Sequence, residues 1–337
     1  MDEKKQKTLT KTNRFASGFQ RFWNMNESGI IIIASAYAIF VQLMNPVFFS
    51  SININSFLRQ AGYILIPSIG MTLILISGGL DLSVGAVLAL AGTVSGFGMV
   101  NFGLPIWISV IMGLLSGIGI GLLNGAIIVR FSVPPMIITL GMMYVARGLV
   151  LVTTNGVAVY PLPLTWQAWE QSTLFGLPMV VPFCIVLCVV FHIIMTQTVF
   201  GRSLYAVGGN RDTAKLSGIK VNKISLAGYA ISGVMAALSG LVISSRLGSA
   251  QPSAGEGYEL SVIAACIIGG TSLFGGRGTI LGTAIGSIFM SMLTNSMTLM
   301  RVNVNYQKLV VGIVLVFAVI LDQFKREIAQ KRAIKIV

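Results

Sequence analysis

The chain has 337 residues, of which 55% are hydrophobic and only 10% charged, and its mean hydropathy is +0.85. Soluble domains carry roughly 25% charged residues, so this composition excludes an ordinary soluble protein and points to a chain whose solvent is mostly lipid. The formal charge of +13 sits at the two ends and in one central loop, not along one folded face, which excludes nucleic acid as a partner and fits short cytoplasmic segments between membrane spans.

Residues 1–27 are polar and basic, with Lys4, Lys5, Lys7, Lys11, Arg14 and Arg21, and read as a cytoplasmic tail. Ala34-Ser35-Ala36 resembles a signal-peptide cleavage site, but the apolar run before it is very short and continues beyond it to Met44. A signal peptide needs about 7–15 apolar residues ahead of the cut, so the first span is retained. Stretches of about 20 apolar residues cross the hydrocarbon, and ten candidates follow in order: 28–44, 62–77, 84–100, 105–129, 134–152, 180–195, 224–243, 260–274, 279–300 and 306–321. The fold class is therefore all-α, a polytopic membrane helix bundle of about ten transmembrane helices, the shorter ones interrupted.

Between the first two spans, residues 53–61, with Phe57, Leu58, Arg59 and Gln60, read as a short interfacial helix. The second span ends in SGGLDLSVG, residues 77–85. This polar, Gly-rich interruption has two readings. An intramembrane carboxylate, Asp81, is a functional candidate by default; alternatively the segment is a turn in which Asp81 or Ser83 caps the next helix. The fourth span carries Gly113, Gly117, Gly121 and Gly125 on one face, and Gly278, Gly282 and Gly286 repeat the device at the ninth. Such spacing lets a neighbouring helix approach closely. A fainter echo links Gly78-Gly79-Leu80-Asp81 to Gly269-Gly270-Thr271-Ser272, as in transporters built from paired half-bundles; descent and chance both remain open.

The loop 153–178 has no Lys or Arg but holds Trp166, Trp169 and Glu170, and suits the outer membrane interface. The loop 197–223 is basic through Arg202, Arg211, Lys215, Lys220 and Lys223, as a cytoplasmic loop should be. The tail after Asp322 holds Lys325, Arg326, Lys331, Arg332 and Lys335. Both termini then lie in the cytoplasm, and ten spans satisfy the parity; Arg59, Arg246 and Arg301 fall on the outer side. Within the basic loop, residues 211–217 suit a short helix that Gly218 would end, either a docking element or a solvated connector. The few other polar residues in spans are Gln42, Asn124, Arg147, His192 and Asn295. Asn124 and Asn295 line a polar path or bond a neighbouring helix; with Asp81 and Ser83 they are the candidates for a translocation path. Glu256 and Glu259 read as solvated outer carboxylates. One His forms no His-based metal cluster, three cysteines in apolar runs form no disulfide framework, and no GxxxxGK[ST] phosphate loop occurs. No catalytic residue, cofactor or metal is expected.

GGLDLSVG, GGNRDTAKLSGIKVNKI and AQPSAGEGYELSVIAACIIGGTSLFGGRGT together resemble the permease subunits of carbohydrate-type ABC importers, ribose permeases above all, over nearly the whole chain. The resemblance implies a homodimer in the cytoplasmic (inner) membrane, a separate ABC ATPase subunit, and an extracytoplasmic sugar-binding protein. It places Asn210, Arg211, Asp212, Thr213, Ala214, Leu216 and Gly218 in the family's ATPase-coupling loop, where an acid followed by two alanines is usual and this chain has Asp212, Thr213 and Ala214. It also implies a division into a tail (1–27), a permease domain (28–322, coupling loop 197–223) and a second tail (323–337), working by alternating access. An ion-coupled secondary transporter using Asp81 and Arg147 is the alternative, and a non-transporting scaffold would leave the interrupted helices unexplained. The transported molecule is not legible: ribose, another pentose, a hexose, a polyol or a sugar-derived signal all suit.

Overall fold

A computed structural model describes residues 28–334. Thirteen α-helices occur among them: α1 (Ser28–Met44), α2 (Ser51–Ile76), α3 (Val84–Val100), α4 (Ile106–Phe131), α5 (Pro135–Thr154), α6 (Leu164–Gln171), α7 (Val180–Gln197), α8 (Val199–Gly209), α9 (Arg211–Leu216), α10 (Val221–Leu247), α11 (Tyr258–Ile268), α12 (Ile280–Leu299) and α13 (Val304–Ile334). The expected N-terminal tail lies outside the described residues. Seven helices are long and apolar enough to cross a membrane, and α1, α3 and α11 are shorter apolar helices. The chain is thus a multi-pass membrane bundle. Its surface agrees: Trp107, Leu115 and Leu123 on α4, Tyr144 on α5, Val189 on α7 and Phe317 on α13 all face outward, a position that costs nothing against lipid.

Helix α2 is the axis. Every residue from Ala61 to Ile76 is buried, with α10, α12, α11 and α7 packed around it. It begins earlier than the apolar run suggests: residues 53–61 are its own first turns, not a separate interfacial helix. Ser50 starts it by accepting a hydrogen bond from Asn53 N, and a neighbouring helix satisfies its polar residues, as described below. Helix α11 is shorter than the predicted span, because the chain turns irregular after Ile268, with Gly270, Gly275 and Gly276 all at positive φ. Helix α13 runs unbroken past Asp322 to Ile334, so residues 323–334 of the predicted tail continue the last span as helix.

The stripe on α4 and two members of the second are helix contacts, but Gly278 lies ahead of α12 in the chain, at φ 155°, and is not part of a helix face. A side chain at Gly117 would meet the Gly233 carbonyl at 2.5 Å, one at Gly121 would meet the Tyr229 carbonyl, and one at Gly113 would meet the Ala91 carbonyl at 2.8 Å. So α4 presses its bare face mainly onto α10. On α12, Gly282 and Gly286 press in the same way on the Gly269 and Ala265 carbonyls. With lipid on both sides of the comparison, close packing is what holds membrane helices together.

The faint echo has a local geometric content. At the end of α2, Gly78 N bonds Leu75 O and Gly79 N bonds Ile74 O; after α11, Gly270 N bonds Ile267 O and Thr271 N bonds Cys266 O. Gly78 and Gly270 have φ of 78° and 92°. These are two copies of one helix-ending motif, in which a left-handed residue satisfies the last carbonyls. Gly218 ends α9 by the same motif, with Gly218 N on Lys215 O and Ile219 N on Ala214 O.

The ends of the bundle sort cleanly. At one end meet the last residue of α2, α8, the turn 272–277, Asp322 and the start of α1: Gly276 N bonds Ile76 O, Ser272 bonds Asp322, and Gly29 and Asp322 line one cavity. At the other end, α6 is tied to α2 and to the end of α10 through Arg59, Glu170, Trp166 and Ser245.

Candidate functional site

Asp81 is 1% exposed and forms the centre of a closed hydrogen-bond knot. Its Oδ1 accepts from Ser83 N at 3.0 Å and Ser83 Oγ at 2.6 Å. Its Oδ2 accepts from Ser232 Oγ of α10 at 2.8 Å. Asn124 of α4 donates from Nδ2 to Ser83 Oγ at 3.0 Å, while its fully buried Oδ1 has no partner among the described residues. The knot therefore brings three of the four path candidates together, Asp81, Ser83 and Asn124, and pins the start of α3 to α4 and α10. Asn295 is elsewhere. It exchanges two 3.0 Å hydrogen bonds with Asn53, whose Nδ2 also donates to Phe48 O, which clamps α12 to α2 near the other end.

Asp81→Ala would strand two buried hydroxyls and one backbone N–H, at about 1–3 kcal/mol for each unsatisfied group. The expected result is a clear fall in Tm in detergent, larger than that of Asp81→Asn, which keeps one acceptor oxygen. Equal Tm for Asp81→Ala and the unaltered protein would remove the structural role of the knot.

Arg147 is the polar residue that sequence reasoning undervalued. From α5 it donates Nη1 to Pro252 O at 2.6 Å and to Ala254 O at 2.9 Å, and Nη2 to Gly85 O at 3.4 Å. It thereby ties the loop before α11 to the first turn of α3. Backbone approach is close there: a Cβ on Gly85 would lie 2.7 Å from Glu259 Oε2, and one on Gly255 would lie 2.5 Å from Gly85 O. So Glu259 is half-buried beside α3, unlike the exposed Glu256, which faces Lys308 at 3.9 Å. The starts of α3 and α11 thus meet inside the bundle, where irregular backbone is tolerated only if protein groups satisfy it. No local pattern announced this seam, since its partners lie 62 to 107 residues apart. Gln42 caps the turn after α1 through Pro46 O and Phe49 N, and His192 is exposed on α7.

The basic loop folds into α8, Asn210 and α9. Asn210 caps α9 by accepting from Thr213 N at 2.9 Å. Ala214 is buried with Val207 and Val221, which fixes α9 to its flanking helices. Asn210, Arg211, Asp212, Thr213, Leu216 and Gly218 are exposed, and Leu216 is 89% exposed at the tip. The result is a small capped helix, rooted by one alanine, that presents a leucine among charges to the surroundings. Thr213, where the resemblance implies an alanine, is exposed. The three cysteines are free, and among the described residues no group of His, Cys, Asp or Glu could hold a metal ion.

Comparison with known proteins gives the family. Residues 53–319 match the family described as branched-chain amino acid transport system / permease component. The ribose import permease protein RbsC of Bacillus subtilis is 40% identical over 289 residues, covering 85% of this chain and 89% of the relative. RbsC of Escherichia coli K12 is 38% identical over 317 residues, covering 91% and 97%. The D-allose transport system permease protein AlsC of the same strain is 35% identical over 305 residues, covering 90% and 93%. No solved structure matches the chain.

Proposed function

The chain belongs to this family of ABC-importer permease components, and from that premise we propose that it carries a ribose-like sugar across the cytoplasmic membrane as one of two identical copies. As a permease component it is the transmembrane, non-catalytic part of the importer; ATP hydrolysis belongs to a separate ATPase subunit, and substrate is delivered by a binding protein. The family description names amino acids, whereas the similar relatives are sugar permeases, so the substrate class rests on the relatives. Ribose and allose share the same configuration at C2, C3 and C4, and allopyranose is ribopyranose with one added hydroxymethyl group. A permease 33% identical to this chain is named for xylose, the C3 epimer of ribose, so the class common to these names is an aldose that closes to a pyranose ring.

The observation that carries the proposed engagement with the ATPase is α9. It is capped at both ends, rooted through Ala214, and offers Leu216 to a partner. The exposed cations Arg202, Arg211, Lys215, Lys220 and Lys223 on the same loop support a cytoplasmic position. With the loop inside, the start of α1 and Asp322 also face the cytoplasm, and α6 faces outward. Asp81 has its oxygens taken up by three internal donors, which favours a structural joint over an ion-coupling site. The large apolar faces of α4, α5 and α13 provide surface for lipid and for the second copy.

The test is uptake of labelled ribose into proteoliposomes holding the permease, its ATPase and its binding protein. Uptake that needs ATP and the binding protein supports the reading. Uptake that persists without the ATPase and collapses with the proton gradient supports the secondary transporter instead.

A further inference from the structure

We propose that Gly208, together with the turn Gly275-Gly276, is the mechanical joint through which movement of α9 reaches α2, and with it the Asp81 knot. The inference rests on the coupling role proposed for α9. Only Asn210 separates α8 from α9, and Ala214 packs back on Val207 of α8, so the two short helices move as one lever. At the middle of that lever, beside the junction of α8 and α9, Gly208 has no side chain, and its backbone lies directly against the carbonyl of Ile76, the last residue of α2. The same carbonyl accepts Gly276 N at 2.9 Å. A Cβ on Gly208 would also come within 2.7 Å of Gly276 N, and one on Gly275 within 2.7 Å of Gly208 O.

Three sequence segments that look unrelated therefore converge on one oxygen atom. Five residues beyond Ile76 lies Asp81, which bonds Ser83 at the start of α3 and Ser232 of α10, while Ser83 in turn accepts from Asn124 of α4. Tyr205 adds a second tie from α8, its hydroxyl donating to Gly278 O at 2.7 Å. Beside the joint a cavity of about 210 Å³, lined by Gly208, Gly209, Ser272, Gly276 and Asp322, leaves room for the lever to shift without a clash. Backbone pressed on backbone transmits displacement, because packed interfaces switch between discrete arrangements and do not deform smoothly. A methyl group at position 208 would hold α8 off α2 and break that transmission, while α9 itself stays intact.

The adjacent glycine is the natural control, since a Cβ on Gly209 meets nothing within 4 Å. In the full importer with its ATPase and binding protein, Gly208→Ala should keep ATPase association. Sugar moved per ATP should fall on the order of tenfold, a size typical of coupling between linked sites. Gly209→Ala should transport at the normal ratio. Were Gly208→Ala to fail in assembly, Tyr205→Phe decides: a lowered ratio supports the joint and a normal one overturns it. A normal ratio in assembled Gly208→Ala, or equal damage from Gly209→Ala, also overturns it. Leu216→Asp in the same assay separates the two layers. If it leaves association and uptake untouched, the coupling role of α9 fails; if it abolishes them while Gly208→Ala behaves normally, the joint alone fails.

Discussion

Replacing Glu170 with alanine should destabilise the protein by about 3–5 kcal/mol, the cost of breaking a buried ion pair by removing one partner. Glu170 is 0% exposed although it sits on α6, in the connection between two spans. Its Oε1 accepts from Tyr63 Oη at 2.6 Å, its Oε2 pairs with Arg59, and its backbone carbonyl also accepts from Arg59 at 3.0 Å. Alanine would leave the mostly buried Arg59 guanidinium without a counter-charge and the Tyr63 hydroxyl without an acceptor. The remaining anchors of α6 are neutral: Ser245 Oγ to Trp166 O at 2.6 Å, and Trp166 Nε1 to Ser244 Oγ at 3.4 Å. The expected result is a large fall in Tm with faster proteolysis around residues 155–178, and a smaller fall for Glu170→Gln, which still accepts from Tyr63. A Tm within error of the unaltered protein would show that the outer helix is held by its neutral contacts alone.

Leu216→Asp should do the reverse: little to stability and much to function. The side chain touches almost nothing in the chain, and exposed substitutions of this kind usually stay within about 0.5 kcal/mol. An apolar residue at the centre of a partner contact costs about 2 kcal/mol or more when lost, which is roughly 30-fold in affinity. Aspartate adds a charge to the penalty. ATPase recovered with the purified permease, and uptake, should therefore both drop by at least that order, with Tm unchanged. Ala214→Asp makes the contrast, since it buries a charge between Val207 and Val221 and should lower Tm as well. Full ATPase recovery with Leu216→Asp would remove α9 from the contact.

The sequence reveals what depends on local pattern. Seven of the ten predicted spans match helices within four residues at each end, because long apolar runs have few alternatives; α2 begins eleven residues earlier than its predicted span, α13 runs thirteen residues further, and α11 is cut short by glycines. The Gly113 to Gly125 stripe and the Gly218 helix end were readable for the same reason: each follows from spacing or from one residue's backbone freedom. The start of α2 was not. Asn53, Asn55 and Gln60 look like residues of a separate interfacial helix, yet the Asn53 amide is consumed by Asn295, 242 residues away, and Gln60 donates to Thr294. Periodicity carries no information about which helices are neighbours. The same gap hid the Asp81–Ser232 bond, the burial of Glu170 and the reach of Arg147 across two loops. Asp81 was open to a functional and a structural reading, and only its partner on α10, 151 residues later, shows how its second oxygen is satisfied.

The whole account depends on α9 standing on the ATP-bearing side of the membrane. The direct measurement uses a version lacking its three native cysteines, with Lys215→Cys on α9 and, separately, Thr173→Cys in the outer connection. Both are treated with a membrane-impermeant thiol reagent in intact cells and in inside-out vesicles. Lys215→Cys should label only in inside-out vesicles and be shielded when the ATPase is bound, with Thr173→Cys labelling only in intact cells. Labelling of Lys215→Cys from the outside of intact cells would contradict the account.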